Sequence, residues 1–206
     1  ASKGKPMIMS TGMATLAEID EAVAAVRNQG NDNFALLRCA SAYPAITDEM
    51  NLRTMQNMGE TFGVPYGLSD HSMGSVGAVT AVALGATIIE KHFCIDRSIE
   101  NPDSSFSMNP AEFKQMVCDI RQAEKAIGCV KYGPSEQEKS SQVFRRSIFC
   151  VRDIKKGEKI TSENARIIRP GYGLSPKYYN DILGQIALTD IERGTPLKME
   201  MIGGDF

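Results

Sequence analysis

Four times within the first 127 residues, a short apolar run of strand length gives way to a few polar residues and then to helical periodicity. That alternation restricts the chain to a parallel sheet with helices packed outside it. The first run, Met7-Ile8-Met9, ends at Ser10-Thr11-Gly12. Thr15, with Glu18 three residues on, then reads as a capping box opening a helix whose Leu16, Ile19, Val23 and Val26 share a face. The second run, Phe34-Ala35-Leu36-Leu37, leads through Arg38 and Cys39 to Ser41-Ala42-Tyr43-Pro44, and a helix follows through Leu52, Met55 and Met58. The third, residues 64–68, stops at Ser69-Asp70-His71, before an Ala/Val-rich helix over residues 74–85 that is slender enough to lie close against a sheet. The fourth, residues 87–89, ends at Glu90-Lys91-His92. A last helix is predicted from Asn109-Pro110, with Glu112 in its first turn and Phe113, Met116, Val117, Ile120 and Ile127 at helical spacing. Four such units make either an open α/β sheet or part of a (β/α)8 barrel, which four strands cannot close. The abrupt start at the first strand favours a piece of a longer protein.

The chain contains two histidines. His71 and His92 stand at the ends of the third and fourth strand patterns, about one helix plus one strand apart, so a parallel sheet would bring them to the same rim. Two imidazoles there could ligate a transition ion and leave positions open for water and substrate. They could equally cap strand ends through backbone hydrogen bonds. Asp70 either orients the His71 ring or forms the turn.

Residues 128–142 turn polar and read as a linker between residues 1–127 and a compact region of different character, residues 143–206. There Ser147-Ile148-Phe149-Cys150-Val151 is a strand, and Asp153-Ile154-Lys155-Lys156-Gly157 returns in altered form as Asp190-Ile191-Glu192-Arg193-Gly194. The repeated D-I-x-x-G pattern predicts a pseudo-symmetric small β-domain. Between the copies, Arg169-Pro170-Gly171-Tyr172-Gly173 is either a surface turn carrying an exposed cation or a clamp for a carboxylate or phosphate.

A net charge of −2, from 23 basic and 25 acidic residues with no basic stripe, argues against nucleic acid and anionic membranes as partners. Apolar stretches are too short to span a bilayer, and the first residues lack the apolar core of a signal peptide. Five cysteines without CxxC spacing suit free thiols in a reducing compartment, so a cytoplasmic location is expected.

Taken together, Ser10-Thr11-Gly12-Met13, Cys39 to Pro44, Gly67-Leu68-Ser69-Asp70-His71, Glu90-Lys91-His92-Phe93, Pro102-Asp103, Ser107-Met108-Asn109-Pro110 and Arg169-Pro170-Gly171 closely resemble the sialic acid synthase family. These are the phosphoenolpyruvate-dependent nonulosonate synthases, and the likeness runs in order over essentially the whole chain. Within the family, Cys39 to Ala45, Asp96-Arg97-Ser98-Ile99 and Arg169 to Leu174 are most similar to the branch that forms pseudaminic acid. Ser41 stands where the N-acetylneuraminate branch carries asparagine.

The resemblance implies the C-terminal half of a (β/α)8 TIM barrel, its last four βα units, followed by a small β-rich antifreeze-like (SAF, β-clip) domain. It implies condensation of phosphoenolpyruvate with the open-chain aldehyde of an acetamido sugar, with release of phosphate by carbon–oxygen cleavage. His71 and His92 would hold a divalent ion, Mn2+ in the family pattern with Mg2+ or Co2+ as alternatives. Asp103 would accept or orient a proton near the oxygens bound there. Tyr43, Ser69 and Ser41 would bind phosphate through their hydroxyls. Arg169 would reach from the antifreeze-like domain of a partner subunit to the sugar's acetamido group or the substrate anion, which requires a domain-exchanged homodimer. Lysines, a glutamate and hydroxyls from the first half of the family barrel are absent here, so the 206 residues alone are expected to be inactive and to self-associate through exposed apolar edges. The related legionaminate and N-acetylneuraminate synthases are the nearest rivals, and two readings from other classes stand beside this one. A sugar- or polymer-binding module would have no need of the histidines, and a metal-dependent aldolase would bring a third metal ligand at a strand end or a Schiff-base lysine, for which Lys91 is the one lysine so placed.

Overall fold

The computed structural model describes residues 1–204, which form two compact units, residues 1–129 and residues 130–204. The first is an α/β unit built on a four-stranded parallel half-barrel sheet in the order β1-β2-β3-β4: Met7–Ser10, Phe34–Cys39, Tyr66–Asp70 and Ile88–Lys91. Helices α1 (Leu16–Arg27), α2 (Arg53–Phe62), α3 (Val76–Ala83) and α4 (Pro110–Ile127) alternate with the strands.

Local sequence dictates these helix ends. Thr15 accepts a bond from the Glu18 backbone, as the sequence spacing predicts, and Asn109 from that of Glu112, and in each box the glutamate reaches back to the cap. Gly63 ends α2 in the left-handed conformation, φ 63°. The helix-facing side of the sheet carries the core. Phe34 and Leu36 pack with Val23, Val26, Met58 and Phe62, and Leu68 packs with Met50, Met55 and Ala81.

Strands β3 and β4 run further than their apolar pattern. Both continue through charged residues to Asp70 and Lys91, because these two side chains neutralise each other in the interior (Nζ–Oδ2 2.8 Å, side chains 1% and 0% exposed).

The second unit has two antiparallel pairs, β5 (Ser147–Cys150) with β6 (Ala165–Ile168) and β7 (Ile186–Ala187) with β8 (Ile202–Gly203), around a core that includes Ile148, Ile154, Ile160, Ile182 and Leu197. Its internal repeat is structural. Ile154 and Ile191 exchange both backbone bonds, N to O, at 2.9 and 2.8 Å. Each aspartate then caps the other copy's turn: Asp190 Oδ1 accepts from Lys156 N at 2.8 Å, and Asp153 Oδ1 from Arg193 N at 2.7 Å. Gly157 (φ 85°) and Gly194 (φ 90°) occupy the left-handed position that closes each turn.

The polar stretch 128–142 is more ordered than its composition suggests. Ser135 and Glu138 form a capping box that opens a helical turn, α5 (Glu136–Lys139), and a 3-10 turn continues it over Ser140–Phe144. No described helix is long and apolar enough to cross a membrane.

Candidate active site

Parallel pairing of β3 with β4 sets Ser69 beside Glu90 and Asp70 beside Lys91, so one step further on His71 and His92 emerge side by side at the C-terminal rim. Their ring centroids are 5.1 Å apart and the planes are inclined at 68°. Because strand side chains alternate between faces, Ser69, Glu90 and both histidines share the concave face, while Asp70 and Lys91 point toward the helices.

His71 is buried, and its Nδ1 lies 3.1 Å from the Ala40 carbonyl. A carbonyl can only accept, so Nδ1 carries the hydrogen and Nε2 keeps its lone pair. Cys39 Sγ approaches the same nitrogen at 3.8 Å and Ser41 Oγ at 3.5 Å, which joins Ser41 to the site. Asp103 Oδ2 stands 3.5 Å from His92 Nδ1 and favours a proton there, again leaving Nε2 open. The Asp103 backbone is pinned: its N–H donates to Asn101 Oδ1, and its carbonyl accepts from Ser107 N and Oγ at 3.1 and 2.7 Å. Arg97 in turn donates to the Ser107 carbonyl.

Tyr43 lies over His71, with centroids 4.3 Å apart, and Phe106 closes against His92 at 4.9 Å, so the imidazoles sit in an aromatic frame. Beside Ser41, a cleft of about 400 Å³ opens between Gly12, Arg38 and Glu49.

The structure thus gathers His71, His92, Asp103, Tyr43, Ser69 and Ser41 within the first unit. Arg169 belongs to the second unit, exposed in the loop after β6, and has no ion pair among the described residues. That loop is fastened through its backbone: Ser147 Oγ donates to the Pro170 carbonyl (2.7 Å) and accepts from Gly173 N (2.9 Å). At Gly173 a Cβ would meet the Ile148 carbonyl at 2.4 Å, so only glycine fits.

One residue of the site was not singled out from the sequence. Glu90 accepts from Ser69 Oγ at 2.6 Å on the same face as the histidines, and its signal was the two-residue offset from His92. Asp70 makes no hydrogen bond to the His71 ring; its carboxylate accepts from Ser72 N and Oγ and pairs with Lys91. That pairing also removes Lys91 from the concave face, where a Schiff-base lysine would have to stand.

Two imidazole nitrogens with free lone pairs offer borderline donors suited to a divalent transition ion. Among the described residues no group of three or more His, Cys, Asp or Glu side chains could hold a metal. The donor set therefore fits an ion held by two protein ligands with its other positions open.

A parallel half-barrel bearing paired rim histidines, joined to a small β-rich unit, defines an α/β protein with a candidate site at its C-terminal rim, and the comparisons resolve its family. The chain belongs to the NeuB family, which it matches over residues 1–132, and a SAF domain occupies residues 145–203. It is 46% identical over 198 residues, 96% of this chain and 58% of the relative, to a pseudaminic acid synthase of Campylobacter jejuni. It is 40% identical over 207 residues, 98% of this chain and 58% of the relative, to the N,N'-diacetyllegionaminic acid synthase of Legionella pneumophila. A solved structure of the Bacillus subtilis spore coat polysaccharide biosynthesis protein spsE is similar over 100% of this chain and 63% of its own length, at 32% identity and a TM-score of 0.58. The chain thus spans a little under two thirds of the length of these relatives.

Proposed function

We propose that the full-length protein bearing this chain condenses phosphoenolpyruvate with an open-chain acetamido sugar to form a nonulosonic acid, with pseudaminic acid as the product. The observation that carries this reading is the His71–His92 pair, with centroids 5.1 Å apart and Asp103 against its edge, on the C-terminal rim of parallel strands where α/β enzymes place their chemistry. In this reading residues 1–127 are the last four units of a (β/α)8 TIM barrel and the second unit is a β-clip. The identities of 44–46% to named pseudaminic acid synthases support the product assignment.

His71 and His92 would hold a divalent ion through their Nε2 atoms, Mn2+ first, with Mg2+ or Co2+ as substitutes. When bound, such an ion polarises the aldehyde oxygen and lowers the pKa of water. The chain's own groups do the rest. Asp103 takes up or orients the proton of the water that adds at C2 of phosphoenolpyruvate, as the C3 carbon bonds to the aldehyde carbon. Cleavage of the bond between C2 and the phosphate oxygen then releases phosphate. Hydroxyls of Tyr43, Ser69 and Ser41 would bind the phosphate, Ser69 by turning its single O–H away from Glu90, to which it donates at 2.6 Å in the structure. Arg169, without an ion pair among the described residues and set in a loop fastened through its backbone, would reach the sugar's acetamido group or the substrate anion across a domain-exchanged homodimer. Five free cysteines among the described residues support a reducing, cytoplasmic setting.

The test is phosphate release by the full-length protein, with phosphoenolpyruvate and either 2,4-diacetamido-2,4,6-trideoxy-L-altrose or N-acetylmannosamine, with Mn2+ or with chelator. Metal-dependent release with the altrose derivative alone is expected, and none from the 206 residues by themselves. Release with N-acetylmannosamine reassigns the product to sialic acid. No release with either sugar overturns the reading in favour of a binding module.

A further inference from the structure

Behind the histidines, on the helix side of the sheet, the chain buries a full ion pair where an apolar pair would be expected. Asp70 immediately precedes His71, Lys91 immediately precedes His92, and they are register partners across β3 and β4. Their side chains are 0% and 1% exposed, with Nζ 2.8 Å from Oδ2.

The pair also grips the backbone on the far side of His71. Asp70 Oδ1 accepts from both Ser72 N (2.9 Å) and Ser72 Oγ (2.6 Å), and Lys91 Nζ donates to the Ser72 carbonyl at 2.5 Å. His71 is thereby bracketed at residues 70 and 72, while its own carbonyl accepts from Ala45 N at 3.0 Å. Helix α3 leaves room for this arrangement: at Gly77 a Cβ would stand 2.9 Å from Ser72 Oγ and 3.1 Å from Asp70 Oδ2.

Buried ion pairs rarely stabilise more than a well-packed apolar pair, and their best-attested use is to fix register. Here the register fixed is the one that sets the histidines side by side. We propose that Asp70, Lys91 and Ser72 form a positioning latch that holds His71 and His92 in the geometry and tautomer that the active site requires. This rests on the metal-site reading above for its catalytic meaning, though not for its geometry. The three residues touch no reacting atom; they act through the imidazoles.

The experiment compares full-length wild type, Ser72→Ala and the apolar double variant Asp70→Val/Lys91→Met, each checked for folding by circular dichroism. Long-range 15N–1H spectra of histidine-labelled protein report the His71 tautomer, assigned with His71→Ala. Mn2+ titration reports affinity. The latch predicts a folded double variant in which His71 populates both tautomers and Mn2+ binds about ten- to hundred-fold more weakly, the range for groups that orient metal ligands. Ser72→Ala should move in the same direction by less, and it decides the matter if the double variant does not fold. An unchanged tautomer together with unchanged Mn2+ affinity in the folded variants overturns the latch. If wild type binds Mn2+ no better than His71→Ala does, the metal reading fails, and the latch is then judged on the tautomer alone.

Discussion

Substituting Gly77 by alanine should destabilise the first unit, although helix propensity alone argues the opposite. Gly77 is the second residue of α3, and alanine there would gain up to about 1 kcal/mol over glycine. The added Cβ would meet Met50 Cε at 2.7 Å, Ser72 Oγ at 2.9 Å and Asp70 Oδ2 at 3.1 Å. The methionine methyl is the end of a flexible chain and can move aside. The two oxygens cannot, because Ser72 Oγ is bonded to Asp70 and Asp70 is bonded to Lys91. Overpacking a rigid site costs about 1–3 kcal/mol, so even against the full propensity gain of about 1 the net loss should reach up to about 2 kcal/mol. Urea unfolding of wild type, Gly77→Ala, Ser72→Ala and the double variant measures it. Removing Ser72 Oγ deletes one of the two immovable contacts, so the cost of Gly77→Ala should shrink by more than about 0.5 kcal/mol in the Ser72→Ala background. A stabilising Gly77→Ala, or effects that simply add, would refute the claim that α3 is held to glycine by the carboxylate behind His71.

Two predictions concern the second unit. Leu197→Ala removes a side chain that is 0% exposed in its core and should cost about 2–5 kcal/mol in urea unfolding; a loss within the range of surface substitutions would mean that the core is placed wrongly. Asp190 is held below the usual carboxylate value of 3.8 by the Lys156 N–H and then by the Lys155 ammonium. A lowered carboxylate contributes stability that is present above its unfolded value and lost as pH falls through its folded one, so acid unfolding of this unit should steepen below about pH 4. Asp190→Asn should flatten that limb of an unfolding profile followed by circular dichroism, and an unaltered profile would count against the turn-capping role.

How far the sequence could be read depended on whether an interaction was local. The capping box at Thr15 is decided within three residues and forms as read, and Asn109, read as the start of a helix with Glu112 in its first turn, makes the same box. The box at Ser135 obeys the same rule but lay hidden in a stretch whose polar composition reads as linker. The D-I-x-x-G repeat was visible as a pattern, whereas the exchange of caps between Asp153 and Asp190 needs the two turns to meet in space. Strand ends failed for a related reason. Asp70 and Lys91 each read as loop residues, and only as partners across the sheet do they belong in a strand.

Glu90 escaped notice because a lone carboxylate carries no signal until alternation along β4 sets it on the face of His92, opposite Ser69. Alternation also shows why that register matters more than the motifs themselves. With a side-chain period of two, slipping β4 by one residue would turn Lys91 toward the concave face and send Glu90 and His92 among the helices, leaving Asp70 buried without its cation. Such a slip costs the penalty of an uncompensated buried charge, about 3–5 kcal/mol. The residues that contribute nothing to the concave face therefore penalise the arrangement in which that face would be lost.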